Sequence, residues 1–558
     1  DGASADTVTA GGPVRLFATD EGTIDALALS ASVGINIGSG SGTTIGGSVN
    51  ASVAENTIAN TTEAIIDNVD TTASGDVELV GSSNKAITAN VVAAGVSFSG
   101  GTGGGTSVQL DGAGASAINT ISNDSLAIIR AATVAANGGS VILTADDTSP
   151  IVSNVVAAKL SASLSLGGNS GGLAVGVTIA RNDISSTARA VIEDGSVVTG
   201  DFELLATAES VGPISTVGVS AAVQAAIGTG SASLSGAGTG VEVTNAIANT
   251  VEAGILTGSD VTVGGAATIA ARDTASINAT GTSAAASIGV GGSTVAVSLA
   301  IAATVVNNSI NNTVNAAVSD ASLDAGGAVS ITMLSTKAIE ARGISASIAV
   351  SAGSGTLTLS GAVGVATATN TIGGTATAII ENADTGDGQS VMAGGPLTIT
   401  ADNTSDIDAV LVAAAASVSI TSGQVSLSLA VATALAENTL TQETRAGIDN
   451  SETSAGGVVD IEAVSNSTID AVTVAAGISV AGSASAIALS GAAAAAVSRN
   501  TLSGMTEAVI EESSSLTTIG AVTVALEDQS QINSSAVAAA LSVALGNSVA
   551  ASLAVSVT

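Results

Sequence analysis

The chain has 558 residues, of which 46% are hydrophobic, 1% aromatic and 67 Gly. It contains no Cys, His, Trp or Tyr, which excludes disulfides, thiolate and imidazole metal sites, and every nucleophile pair that depends on His. Eleven Lys and Arg against 46 Asp and Glu give a net charge of −35, so no nucleic-acid partner is expected.

The apolar runs are short. Ala409 to Ala416 and Ala492 to Val497 fall far below the ~20 residues of a membrane helix, so no membrane span is expected. The opening residues, Asp1-Gly2-Ala3-Ser4, do not read as a signal peptide. The chain therefore reads as a mature product or a piece of something longer.

The first element that recurs is a motif of Asn, any residue, Ile or Leu, and then Ala-x-Ile or Ala-x-Val six residues after that. It begins at Asn56 and returns at Asn119, Asn182, Asn245, Asn308, Asn370, Asn438 and Asn500. The steps are 63, 63, 63, 63, 62, 68 and 62 residues, and such a period implies a repeat architecture. A second marker lies about 21 residues further on, a Gly turn followed by an apolar-x-apolar strand start, as in Gly326-Gly327-Ala328-Val329-Ser330-Ile331. A copy at Gly11-Gly12-Pro13-Val14 precedes the first Asn. The predicted organisation is a partial unit at 1–55 and units at 56–118, 119–181, 182–244, 245–307, 308–369, 370–437 (with a loop insertion), 438–499 and 500–558.

Within a unit the predicted elements follow in order. In 308–369 a short apolar piece, Ala316-Ala317-Val318, leads into a polar loop, and a strand begins at Val329. A long alternating segment then carries Ile344, Ala346, Ile348 and Val350 on one face and Ser345, Ser347, Ala349 and Ser351 on the other. Period two means strand. Gly353-Ser354-Gly355 makes a turn, and a second long segment runs through Leu357, Leu359, Val363 and Val365 to Asn370. Each turn is either a hairpin within one sheet or an arc between two. Ala-rich runs such as Ala492 to Ala496 favour helix by propensity, but their Ser, Gly, Thr and Val flanks favour strand. The predicted fold is all-β, an elongated repeat array: a β-solenoid or stacked long hairpins. Small side chains on both strand faces permit close sheet packing, which an aromatic ring would prop apart.

The repeated Asn residues either stack as a hydrogen-bonded ladder or cap strand ends at turns. Asp384 and Asp387, in Asp384-Thr385-Gly386-Asp387-Gly388, form the one weak calcium candidate; the alternative is an acidic solvated turn. No other cofactor is expected. Asn60, Asn123, Asn278, Asn403, Asn466 and Asn533 head glycosylation sequons. Thr367, Thr369 and Thr371 form a Thr-x-Thr row that does not recur at equivalent positions in the other units. No convergent polar set marks a catalytic centre, so no enzymatic activity is expected.

The Asn-x-Ile and Ala-x-Ile motif, the Gly-Gly-x-Val-x-Leu strand start and the long Ala/Ser/Val strands resemble the large, repetitive β-strand-rich bacterial surface adhesins and filamentous-haemagglutinin-like extracellular proteins. The resemblance implies export and a cell-surface or extracellular filamentous role. The chain-long repeat with no active-site chemistry predicts a fibre segment or subunit with end-to-end self-association. The alternative expectation is adhesion, with loops such as 381–395 contacting a host, surface or matrix ligand.

Overall fold

A computed structural model describes residues 6–292, 294–383 and 388–558. The protein is a β-solenoid in which each coil contributes one short strand and two long ones. One coil consists of Ser322–Ala325, Val329–Gly353 and Leu357–Glu381. Strands from successive coils pair in parallel, forming a short sheet and two facing long sheets. Val329–Gly353 belongs to the first long sheet and Leu357–Glu381 to the second.

Parallel pairing decides the turn question. The three residues between Gly353 and Leu357 carry the chain from one sheet to the facing one, so the Gly turns are arcs, not hairpins. Each unit adds one strand layer to each sheet, so the rise is about 4.8 Å per coil. A 25-residue strand spans roughly 80 Å, so the coil is a flat blade. The Ala492–Ala496 run lies inside the strand Ile487–Glu511, where register with neighbouring coils overrides its helical propensity. Among the described residues no helix is long and apolar enough to cross a membrane.

The second long strand does not stop near its Asn. It runs on through Ala378 and Ile380, making the Ala-x-Ile motif its last turn-side stretch. The segment read as a polar loop contains the short sheet, with strands of three to five residues. At the corner before each short strand one non-Gly residue takes positive φ: Asn68, Ala131, Asp194, Thr257, Asp320, Asn382, Asn450 and Glu512. Five of these eight are Asn or Asp, which adopt this conformation most readily, but Ala131, Thr257 and Glu512 break the pattern, so the corner leaves only a weak sequence signature.

The interior changes along the blade. The root half, beside the short sheet, is filled by aliphatic rows. Ile24, Ile87, Ile151, Ile214, Ile277, Ile339, Ile407, Ile469 and Ile532 stack in one unbroken row of the first long sheet. Burying one such side chain contributes about 1.5–3 kcal/mol. The tip half, beside the arcs, holds mainly Ser, Ala and Gly. There Ser298, Ser428 and Ser490 donate across the gap to Ser287, Ser417 and Ser479, at 2.8, 2.8 and 2.9 Å.

The two sheets approach closely where Gly faces inward. A Cβ on Gly364 or Gly477 would lie 2.6 Å from a carbonyl oxygen of the opposite sheet, Ala414 or Ala493. No side chain fits there without moving the sheets apart.

Candidate functional site

Two polar rows cross the apolar root half. The first is the Asn row. Each of the eight Asn residues lies within a strand and faces inward on the second long sheet, between an apolar row beginning at Ala54 and another beginning at Ile58. Each side-chain amide donates to the carbonyl oxygen of the next Asn. The distances are 2.8 Å for Asn56–Asn119, 2.7 Å for Asn119–Asn182, 2.8 Å for Asn182–Asn245 and 2.9 Å for Asn245–Asn308. They are 2.8 Å for Asn308–Asn370, Asn370–Asn438 and Asn438–Asn500. The 68-residue step from Asn370 to Asn438 keeps the same geometry, because its extra residues fall outside the strands. Thr216 on the facing sheet joins the ladder, accepting from Asn182 at 2.7 Å and donating to Asn245 at 2.8 Å. A ladder of this kind satisfies buried amides in one register only, since a slip of one residue turns every Asn outward.

The second polar feature is a seam between two aliphatic clusters. On the first long sheet it holds Asp20, Ser83, Asp147, Ser210, Asp273, Ser335, Asn403, Ser465 and Asp528, one per coil. Carboxylate or amide alternates with Ser. Two like carboxylates are thereby held about 9.6 Å apart, two strand spacings instead of one. Facing amides complete the seam: Asn60 donates to Asp20 at 2.7 Å, Asn249 to Ser210 at 3.0 Å and Asn312 to Asp273 at 2.8 Å. The pattern appears only when the 63-residue units are aligned position by position.

Burial sets the electrostatics of this seam. It pushes the Asp273 carboxyl up to about 6, against the opposing effects of Asn312 and the Lys337 ammonium. It pulls Lys337 down to about 8, opposed by Asp273. Lys337 donates to the Gly373 carbonyl at 3.1 Å. Asp147 is also raised by burial, despite hydrogen bonds from Ser149, Ser186, Asn123 and Ser83. In the tip half, burial pushes Asp111 up. Hydrogen bonds from Ser161, Ser97 and Gln109, with the Lys159 ammonium 3.4 Å away, outweigh it and hold the carboxyl below its usual range.

Elsewhere, cations tie adjacent coils together. Arg15 pairs with Glu78 at 3.0 Å, Arg130 with Asp67 at 2.7 Å and Arg189 with Glu252 at 2.7 Å. These exposed or half-exposed pairs are each worth little but reinforce one register.

The calcium candidates Asp384 and Asp387 lie outside the described residues. Among the described residues no cluster of three or more acidic side chains is arranged to hold a metal ion. Of the sequon residues, Asn123 and Asn403 are buried, which closes them to a glycan in the folded chain, whereas Asn60, Asn278 and Asn533 are exposed. Thr367, Thr369 and Thr371 lie on the outer face of the second long sheet, but their in-register neighbours are Val305, Asn307 and Ser309 on one side and Leu435, Glu437 and Thr439 on the other. They therefore form no Thr array. The chain matches no family model, no curated protein and no solved structure.

Proposed function

We propose that this chain is a non-enzymatic structural protein, a segment or subunit of an extracellular filament or surface fibre that grows by continuing its own stack. The unbroken Asn ladder is the observation that carries this reading. A side-chain amide spine running from coil to coil defines an axis along which identical layers add. Outermost strands such as Val14–Ser39 and Val522–Gly546 each pair on one side only, leaving a long row of backbone donors and acceptors. Such a row accepts a further parallel strand by β-strand addition. The acidic outer surface of the root half keeps the stack dispersed in water.

Electron microscopy of the purified chain tests the reading. Filaments with a 4.8 Å layer repeat along their axis are expected. Isolated nine-coil blades at every concentration and salt condition would reject polymerisation by this chain.

Adhesion is the second reading. It is favoured by the one coil with extra length, whose additional residues lie between the strands ending at Glu381 and beginning at Val391. Deleting residues 384–388 and measuring attachment separates the two readings, because unchanged attachment rejects this loop as the binding surface.

A further inference from the structure

The outer face of the first long sheet is apolar where its inner face is polar. Five outward rows of the tip half begin at Leu29, Ala31, Val33, Ile35 and Ile37, and each continues through all nine coils. Every position is Ala, Gly, Val, Leu, Ile or Phe, with Thr282 the single exception. The row that begins at Ala31 is Ala throughout, from Ala94 to Ala539. From the row of Leu29 to the arcs, the only charged residue of this sheet is Lys159, which is buried on the inner face.

The relief is regular. The Ala row is a trough about 40 Å long, flanked on both sides by rows of mostly larger aliphatic residues, interrupted by Ala286 and Ala416 on one side and Thr282 on the other. Ile348 on one ridge is 51% exposed, and Ile478 is 45% exposed. The face measures roughly 30 by 40 Å, about 1,200 Å². A stable protein interface needs about 800 Å² per partner, and isolated apolar patches on monomers are usually only a few hundred Å².

We infer that this face laminates with the same face of a second copy of the chain, related by a two-fold axis, with the ridges of one copy seated beside the Ala trough of the other. A flat, uncharged, self-complementary surface of this size fits an isologous partner. A lipid core is the poorer match, because the Gly arcs at the blade tip leave irregular backbone that needs water. Lamination leaves those arcs at a wet rim. It is lateral, and it neither requires nor prevents end-to-end growth, which uses strand edges instead.

The test uses the full chain in sedimentation velocity and small-angle scattering. A dimer with doubled blade thickness is expected, and Ile348→Lys with Ile478→Lys should weaken it about 100-fold. Asn278→Lys with Asn533→Lys, in the root half of the same outer face, should leave it intact. The chain has no Cys, so Ala284→Cys, at the centre of the trough and near the expected two-fold axis, should give a disulfide dimer under mild oxidation. Asn278→Cys should not. This second measurement stands if the lysine pair disturbs folding. A monomer of single thickness at all concentrations overturns the inference, as does a dimer indifferent to the lysine pair while the fold is retained. A monomer that instead floats with phosphatidylcholine vesicles overturns it in favour of lipid.

Discussion

The root and tip halves of one strand obey opposite rules. In Ala267–Gly291 the root end turns Ile269 and Ile277 inward and Arg272 and Asn278 outward. Eleven residues after Ile277, Ile288 faces out while Ser287 faces in and bonds across the sheets. The pleat never breaks between them, so alternation persists while its sense inverts. Hydrophobic alternation therefore identifies a strand without saying which face is the inside. In the root half, burial of aliphatic rows drives folding. In the tip half, hydroxyl networks and close backbone approach join the sheets, and the apolar residues lie on the outside.

Substituting the two isoleucines of that strand breaks the comparison most sharply. Ile277→Asp buries a carboxylate in the middle of the isoleucine row and should destabilise its coil by about 4–5 kcal/mol. Ile288→Asp, on the outer face, should change the stability of the single, unlaminated chain by less than about 1 kcal/mol when measured at low protein concentration. Hydrogen exchange resolved by coil is the right measurement, because a stacked array can open locally. Equal losses at the two sites would show that the tip exterior is as structurally buried as the root interior.

The Asn ladder of the root half should rank next. Asn245→Ala removes the partner of Asn182, Asn308 and Thr216 at once. The orphaned groups should cost about 2–3 kcal/mol, read as faster exchange in the coils on either side. Asn278→Ala, on the outer face of the first long sheet, should cost almost nothing.

Much of this organisation is legible in the amino-acid order, and the rest is hidden for physical reasons. The 63-residue period and the long strands show because Asn recurs in register and alternation runs for 25 residues. The arcs do not, since the three residues from Ser354 to Thr356 would serve a hairpin equally well. The short strands do not, because Ser322–Ala325 is too brief to show a period. The inversion is concealed because Ile344, Ile348 and Val350 look like a core face beside Ser345 and Ser347. Only the facing sheet, with Ser345 donating to the Ala302 carbonyl at 2.8 Å, reveals that the Ser face is inside. The Asp/Ser seam needed the nine units to be aligned position by position.

The seam gives the root half a pH signature that the tip half lacks. Asp273 has its folded pKa raised to about 6 from an ordinary 3.8. A raised carboxyl favours the native state when protonated, so its penalty is absent below about 3.8, grows as pH rises to about 6 and stays constant above. Stability should thus increase as pH falls from 7 to 5, by about 1.3 kcal/mol from this group. Raised values at Asp147, Asp406 and Asp408, each due first to burial, act in the same direction. Thermal unfolding from pH 5 to 8 checks this. Asp273→Asn should flatten the slope in that window, and a wild-type chain that loses stability on acidification to pH 5 would contradict the assignment.

The smallest effect concerns how each half reverses the chain. At the tip, positive φ is carried by Gly in several arcs: Gly40 at 109°, Gly103 at 87° and Gly167 at 87°. At the root corner, every described coil places a non-Gly residue there, including Ala131 at φ 48°. An L-residue in this region costs about 1–2 kcal/mol, and Ala has no polar side chain to compensate as Asn or Asp can. Ala131→Gly removes that strain but adds backbone freedom to the unfolded chain, which offsets about half of the gain. A net stabilisation of roughly 0.5–1 kcal/mol is expected, seen as a small rise in Tm or slower exchange at the corner. Ala131 carries its backbone bond to the Glu193 carbonyl at 3.3 Å, so the substitution leaves the coil-to-coil pairing unchanged. A loss of stability instead would mean that the Ala131 methyl packs at the corner by more than the strain costs, and that the root tolerates non-Gly corners for packing where the tip cannot.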